Sequence, residues 1–291
     1  MFTAIATASL EKVSLNIQSF YQLRLHRVHK FKPKIELRTE VGPFVIKTVS
    51  NAEELKEALA LRFEVFHREM IGKKDPSGYD VDEHDFDCDH LIITEKRSNR
   101  IIGTYRMNCS LFTDNFYSAK EFLMNKIFNT PGVKLELGRA CIHKDFRRGV
   151  LISLLWRGIA EYMAASEAQM LFGCATVKTQ DPRDAALLTR YFESEGRIVP
   201  HLRTRPTLGF TMPLLSFFLD EVRTPLSPEQ KQQAEDLLPP LCRAYLKAGA
   251  LIGGEPAWDR DFQCIDFLTI LQREDLNRTL WKKFKLDSVE S

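Results

Sequence analysis

The sequence has no C-x-x-C pair. Its six cysteines, Cys88, Cys109, Cys141, Cys174, Cys242 and Cys264, are scattered singly through 291 residues. That excludes the spacing of a zinc knuckle or a dithiol redox motif and fits a reducing cytoplasm. The start, Met1-Phe2-Thr3-Ala4-Ile5, lacks a basic stretch, and its apolar run is too short to read as a secretion signal. Long hydrophobic runs are missing as well. The longest, Leu208 to Leu219, contains Pro213 and falls short of the about 20 residues that a bilayer span needs, although it can lie against one. There is no internal repeat and no low-complexity segment. Charge of one sign is not in excess either: the net charge is +2, and no nucleic-acid partner is expected.

What is present is ordinary for a soluble globular chain, with 44% hydrophobic and 27% charged residues. The length supports a sizeable core. The charge is unevenly spread. Residues 1–40 hold seven Lys or Arg against three Glu, whereas residues 80–89 hold six acids. The basic run Arg24, His26, Arg27, His29, Lys30, Lys32 and Lys34 reads either as an anchor to an anionic membrane surface or as a solvated arm, so residues 1–42 are set apart from a single domain over 43–291.

Hydrophobic periodicity then lays out the chain. Phe44–Val49 is a strand, and Ser50-Asn51-Ala52-Glu53 has the spacing of a capping box. The following helix places Leu55, Leu59, Phe63 and Phe66 on one face. Arg62 lies beside that face; on this local pattern alone, snorkelling to solvent is the favoured reading. The acidic run Asp80-Val81-Asp82-Glu83-His84-Asp85-Phe86-Asp87-Cys88-Asp89 fits a calcium loop poorly, because the sixth and twelfth positions are Asp85 and Leu91. It reads as a solvated loop, or as carboxylates that hold an amine. His90–Thr94 and Ile101–Met107 form a hairpin, and alternation puts Arg106 on the face of Ile102 and Thr104. Residues 110–133 are irregular and rich in aromatics.

Leu135-Glu136-Leu137-Gly138-Arg139-Ala140-Cys141-Ile142 is a strand interrupted by charge, with Gly138 a natural place for a bulge. The cationic turn Lys144, Arg147, Arg148 and Gly149 then leads to a helix N-terminus, which favours anions. Beyond it come a helix to Ser166, a buried strand over 170–177, a helix begun by Pro182, a helix over 226–246 broken at Pro239-Pro240, and an apolar strand over 264–271 that completes the sheet. The expected fold is α/β: a mixed, mostly antiparallel central sheet with a splayed, bulged strand and flanking helices.

These pieces together carry a resemblance. Leu61-Arg62-Phe63-Glu64-Val65-Phe66, Asp80–Asp85 with Asp89-His90-Leu91, Ile102-Gly103-Thr104-Tyr105-Arg106, Leu135-Glu136-Leu137-Gly138-Arg139-Ala140 and Phe172-Gly173-Cys174 follow in order. The chain resembles the Gcn5-related N-acyltransferase superfamily, in particular the ornithine lipid synthases and long-chain N-acyl amino acid synthases, which are related to acyl-homoserine-lactone synthases. Leu238-Pro239-Pro240-Leu241 and Tyr245–Ala250 are similar to the lipid synthases. The superfamily's usual Q/R-x-x-G-x-G/A pyrophosphate turn is absent at Arg147–Ile152. A donor with a single phosphodiester, the 4'-phosphopantetheine thioester of acyl-carrier protein, is compatible with so reduced a loop.

The resemblance implies transfer of a long-chain acyl group, with or without a 3-hydroxyl, to the amine of an ornithine-like or glycine-like amino acid, giving a lyso-aminolipid. Glu136 is the expected proton acceptor, with Asp82 and Asp85 positioning the amine. Arg62, Phe66, Arg106 and Arg139 are expected at the acceptor. Gly138, Cys141, Ile142, Lys144, Arg147, Arg148 and Gly149 are expected at the pantetheine arm and carrier protein. No metal and no bound cofactor is implied. The implied location is cytoplasmic, with or without a peripheral contact to the inner face of the membrane. The rivals are an acyl-homoserine-lactone-type signal synthase, an acyl-CoA acetyltransferase, and a non-catalytic cation-binding, membrane-associated module.

Overall fold

A computed structural model describes residues 27–72, 77–147 and 150–276. They divide into two compact units. One takes residues through Met107 together with Arg139–Ile159; the other takes Asn108–Gly138 and the chain from Ala160 onward. Each is a sheet flanked by helices, and every strand pairing described below is antiparallel except one, so the mixed, mostly antiparallel α/β fold expected from the sequence is present.

In the first unit, β1 (Arg38–Val41) and β2 (Phe44–Thr48) form a hairpin, and β2 pairs with β3 (Asp89–Glu95). β3 pairs with β4 (Arg100–Cys109) in the expected hairpin, from Asp89 opposite Met107 to Glu95 opposite Arg100. Helix α1 (Ala52–Phe63) starts at Asn51, whose side chain accepts the Glu53 and Glu54 N–H groups. Glu54 reaches back to the Ser50 N–H at 2.9 Å, so the cap sits one residue later than the sequence spacing indicates. Ile46, Leu55, Leu59, Leu91, Ile92 and Ile93 are completely buried. The first turns of α4 (Leu151–Ser166) belong to this unit and press on the sheet at Gly158, where an added Cβ would lie 2.7 Å from Leu91 and 2.8 Å from Ile46.

Of the basic arm, residues 1–26 lie outside the described residues. Its described part is folded onto the unit: Val28 is buried, Phe31 stands edge-on to His90, and Asp89 accepts the Lys34 and Ile35 N–H groups at 2.8 and 3.0 Å.

In the second unit the beginning of β5 (Val133–Ile142) runs parallel to β6 (Ala168–Val177), and the described pairs end at Glu136 opposite Phe172. β6 pairs with β9 (Cys264–Gln272), which also carries β7 (Leu251–Ile252) and β8 (Ala257–Asp259). Alternate residues of β6 and β9 enter two cores. Phe172, Leu268 and Ile270 join Phe116 and Phe122, whereas Val177, Ile265 and Phe267 join Leu188 and Phe192. Burial on both faces is why β9 reads as an apolar run without alternation. The helices are α2 (Ser118–Glu121), α3 (Asn125–Phe128), α5 (Pro182–Ser194), α6 (Leu215–Glu221), α7 (Pro228–Leu237) and α8 (Pro240–Ala248). No helix among the described residues is long and apolar enough to cross a membrane.

Candidate active site

The first unit brings Arg62, Asp80, Asp82, Asp85, Arg106 and Arg139 into one network. Arg62, in the last turn of α1, donates Nε to Asp80 at 2.8 Å and both Nη atoms to Asp85 at 2.5 and 3.2 Å. Arg106, on β4, donates Nη1 to Asp82 at 2.6 Å and to Asp85 at 3.2 Å. Arg139 donates Nη2 to Asp82 at 3.2 Å, and its Nε is 3.5 Å from Asp80. The acids are presented by a tight local turn. Asp82 caps the 3-10 turn Glu83–Phe86 by accepting the His84 N–H, and Asp85 accepts the Asp82 N–H at 2.8 Å. Here the structure corrects two local readings. Arg62 does not snorkel: it is fully buried, because two carboxylates meet it inside. The acidic run is not a solvated loop, since Asp80, Asp85 and Asp89 are buried and their charge is met by guanidinium or backbone N–H groups.

Burial alone would raise the Asp82 carboxyl, but the Arg106 and Arg139 guanidiniums outweigh it and hold it far below the usual carboxylate range. Burial opposes Asp80 too, and Arg62 and Arg139 overcome it in the same way. Both acids therefore stay ionised. Side-chain exposure is 0% at Arg62 and Asp85 but 17% at Asp82 and 15% at Arg139, so the network faces outward through one acid and one base. His90, under the network, is pushed down to about 4, mainly by burial, and its Nε2 donates to the Asp85 carbonyl at 2.9 Å.

In β5 the residue after Gly138, Arg139, is left-handed, with φ 50°. Such a non-glycine conformation costs about 1–3 kcal/mol and persists only where its surroundings impose it. Phe66 sits in a π-helical turn, Glu64–Ile71, and packs partly buried against the core of the unit. Cys141 is buried, and burial raises its thiol to about 12, which makes it an inert apolar residue. The Ile142 carbonyl accepts Arg147 Nε at 3.0 Å, and Arg147 pairs with Glu69 at 2.5 Å. Lys144 is exposed in a short 3-10 turn, Lys144–Phe146. Arg148 and Gly149 lie outside the described residues.

Glu136 belongs to the second unit. It is buried, and its two oxygens accept the Ser118 N–H at 2.7 Å and the Tyr117 N–H at 2.9 Å. It thus ties the start of α2 to β5. A polar relay that the sequence reading missed continues from Ser118: its Oγ lies 3.5 Å from Cys174 Sγ, which is 3.3 Å from Glu121 Oε2. Glu121 is fully buried, and burial with the nearby Asp266 raises its carboxyl to about 8. Its position in an irregular aromatic stretch gave no periodic signal. Asp259, Cys264 and Asp266 have potential ligand atoms within 4.8 Å of one another, the one such grouping among the described residues. These acids already accept hydrogen bonds, Asp259 from the Asp261 and Phe262 N–H groups and Asp266 from the Thr176 hydroxyl at 2.6 Å.

On its open side the first-unit network presents one ionised carboxylate, Asp82, and one guanidinium, Arg139, and the buried members hold both in place. The second unit holds Glu136 rigidly and keeps Glu121 as a buried acid. Residues 61–157 match the family model described as the acetyltransferase (GNAT) domain. The chain carries that domain over this third of its length.

Among particular proteins, it is similar to the L-ornithine N(alpha)-acyltransferase of Rhizobium meliloti (strain 1021), with 28% identity over 82% of this chain and 83% of that one. The L-ornithine N(alpha)-acyltransferase of Agrobacterium fabrum (strain C58 / ATCC 33970) is 27% identical over 79% and 81%. A CoA-dependent acyl-homoserine lactone synthase, BjaI, solved with SAM and isopentyl-CoA, aligns with a TM-score of 0.43 at 14% identity, covering 80% of this chain and 83% of that one.

Proposed function

We propose that this protein is an amino acid N-acyltransferase that moves a long-chain acyl group from the phosphopantetheine thioester of acyl-carrier protein to the amine of an ornithine-like acceptor. The observation that carries this reading is the similarity to L-ornithine N(alpha)-acyltransferases across about four-fifths of both chains. The network of the first unit supports it, because one outward acid beside one outward guanidinium suits an amino acid's two charged groups. The same similarity favours this reading over a signal-lactone synthase.

In the proposed reaction the neutral amine attacks the thioester carbon. The C–N bond forms, the C–S bond breaks, and the carrier thiol leaves. The amine must first lose a proton, which a carboxylate acting through a bound water takes up. Asp82 and Arg139 bind the acceptor. Arg62, Asp80, Asp85 and Arg106 are positioning residues. Backbone N–H groups near Gly138–Ile142 are the proposed stabilisers of the tetrahedral oxyanion. Exposed Lys144 and Arg147 are proposed to meet the acidic carrier protein, with Arg148 and Gly149 beside them in sequence.

The test incubates the full chain with long-chain acyl-carrier protein and a panel of amino acids, and identifies products by mass spectrometry. An N-acyl amino acid made from the carrier-bound donor is expected. Turnover from acyl-CoA alone, or no product with any amino acid, would overturn the donor or the acceptor assignment respectively.

A further inference from the structure

We propose that the second unit carries a membrane-contact tip, centred on Leu208, that inserts into the interfacial layer of an anionic bilayer. Leu208 is 94% exposed, the most exposed of the large apolar side chains, and Leu214 and Phe217 in the same segment are 65% and 54% exposed. Leu123, also exposed, belongs to the turn that braces this segment. The tip is held firmly. Thr207 N–H donates to the Glu121 carbonyl at 2.7 Å and Thr207 Oγ1 to the Lys120 carbonyl at 2.9 Å. Leu123 N–H donates to the Arg205 carbonyl at 2.8 Å, and Arg260 Nη1 to the Gly209 carbonyl at 2.9 Å. A leucine fixed in water at the end of such a brace has no role in packing its own unit, and exposed apolar groups concentrated in one segment mark a contact surface.

The charge around it selects the partner. Residues 196–219 contain Arg197, Arg203 and Arg205 and no Asp or Glu; the first acids are Asp220 and Glu221, after Phe217. Lys120, Arg205 and Arg260, all exposed, flank the tip through the bonds just described. Cations at phosphate level with leucine and phenylalanine beneath them is the arrangement of an interfacial anchor. A fluid layer accommodates a protruding tip, whereas a protein partner would need a matching pocket; that shape favours lipid over an acidic protein. The segment is distinct in sequence from the basic run over residues 24–34, and the proposal does not depend on the acyl-transfer reading.

The test uses the full chain and a local reporter, because the basic arm can bind vesicles by itself. Leu208→Trp is mixed with vesicles of phosphatidylcholine alone or containing phosphatidylglycerol. We expect its emission, after subtraction of the wild-type signal, to shift to the blue and to be quenched by lipids brominated in the acyl chain, only when phosphatidylglycerol is present. Leu208→Asp with Phe217→Ser should weaken partitioning about tenfold or more, and Arg205→Glu should weaken it in anionic vesicles only. An unshifted tryptophan overturns the proposal, as does a shift produced by acyl-carrier protein but not by vesicles. Unchanged partitioning of the Leu208→Asp, Phe217→Ser variant overturns it as well.

Discussion

Replacing Asp85 by Asn tests the physics of the first-unit network most directly. Three guanidiniums, Arg62, Arg106 and Arg139, face three carboxylates, Asp80, Asp82 and Asp85, so the cluster is neutral. Asp85 is fully buried and accepts from Arg62 twice, from Arg106 and from the Asp82 N–H. Asn removes one charge, leaves the cluster at +1, and turns an NH2 group toward donors. Breaking a buried ion pair from one side costs about 3–5 kcal/mol. With an unfolding entropy of about 0.6 kcal/mol per degree for 291 residues, the midpoint should fall by about 5–8 °C when the whole chain melts together. The assay is thermal and urea unfolding followed by circular dichroism, each repeated in about 1 M NaCl, where exposed pairs are screened but buried ones are not. A loss below about 1 kcal/mol, or one that disappears in salt, would refute the account of a buried, mutually dependent cluster. Arg62→Met with Asp85→Leu should recover part of the loss, since both uncompensated charges go together.

Three further outcomes are expected. His90 is neutral when folded down to about 4 but protonates near 6.5 when unfolded, so the unfolded chain binds the extra proton between these values. Wild type should lose about 2 kcal/mol from this group between pH 7 and 5, and His90→Gln should flatten that slope; parallel slopes in urea titrations would contradict it. Glu121 has the opposite sign. It keeps its proton when folded up to about 8 and loses it near 4.5 when unfolded, so its contribution falls as pH rises. Glu121→Gln should be more stable than wild type by about 3 kcal/mol at pH 7 and by little at pH 4.5, and an equal difference at both would count against a buried neutral acid. At Gly173 an added Cβ would lie 2.2 Å from the Leu137 carbonyl oxygen, whereas at Gly209 it would meet nothing within 4 Å. Gly173→Ala should lose about 1–3 kcal/mol or more while Gly209→Ala changes little; equal melting temperatures would refute the close approach of the two backbones.

Most of the framework was legible because it depends on local pattern. Apolar runs marked β6 and β9, Pro182 marked the start of α5, and the hairpin of β3 and β4 announced itself by its polar turn. What was not legible depends on partners distant in sequence. Arg62 next to an apolar helix face looks like any snorkelling side chain until Asp80 and Asp85, 18 and 23 residues on, are brought to it. The acids looked solvated for the same reason. The left-handed φ of Arg139 left no signal in residue type either, because its hydrogen bond to Asp82 spans 57 residues. Glu121 left no trace in the pattern, because a buried acid in an irregular stretch is identified only by what surrounds it.

The neutrality of the six-residue cluster also bears on how this chain can vary. Any single substitution that alters charge at Arg62, Asp80 or Asp85 strands an opposite charge out of reach of water, so these positions form a shared mutational unit rather than independent sites. Drift there has to pass through compensated pairs or through a poorly folded intermediate. Asp82 and Arg139, being partly open, are less constrained. Viable single changes of charge are expected to gather at those two positions, while the buried four hold the frame still.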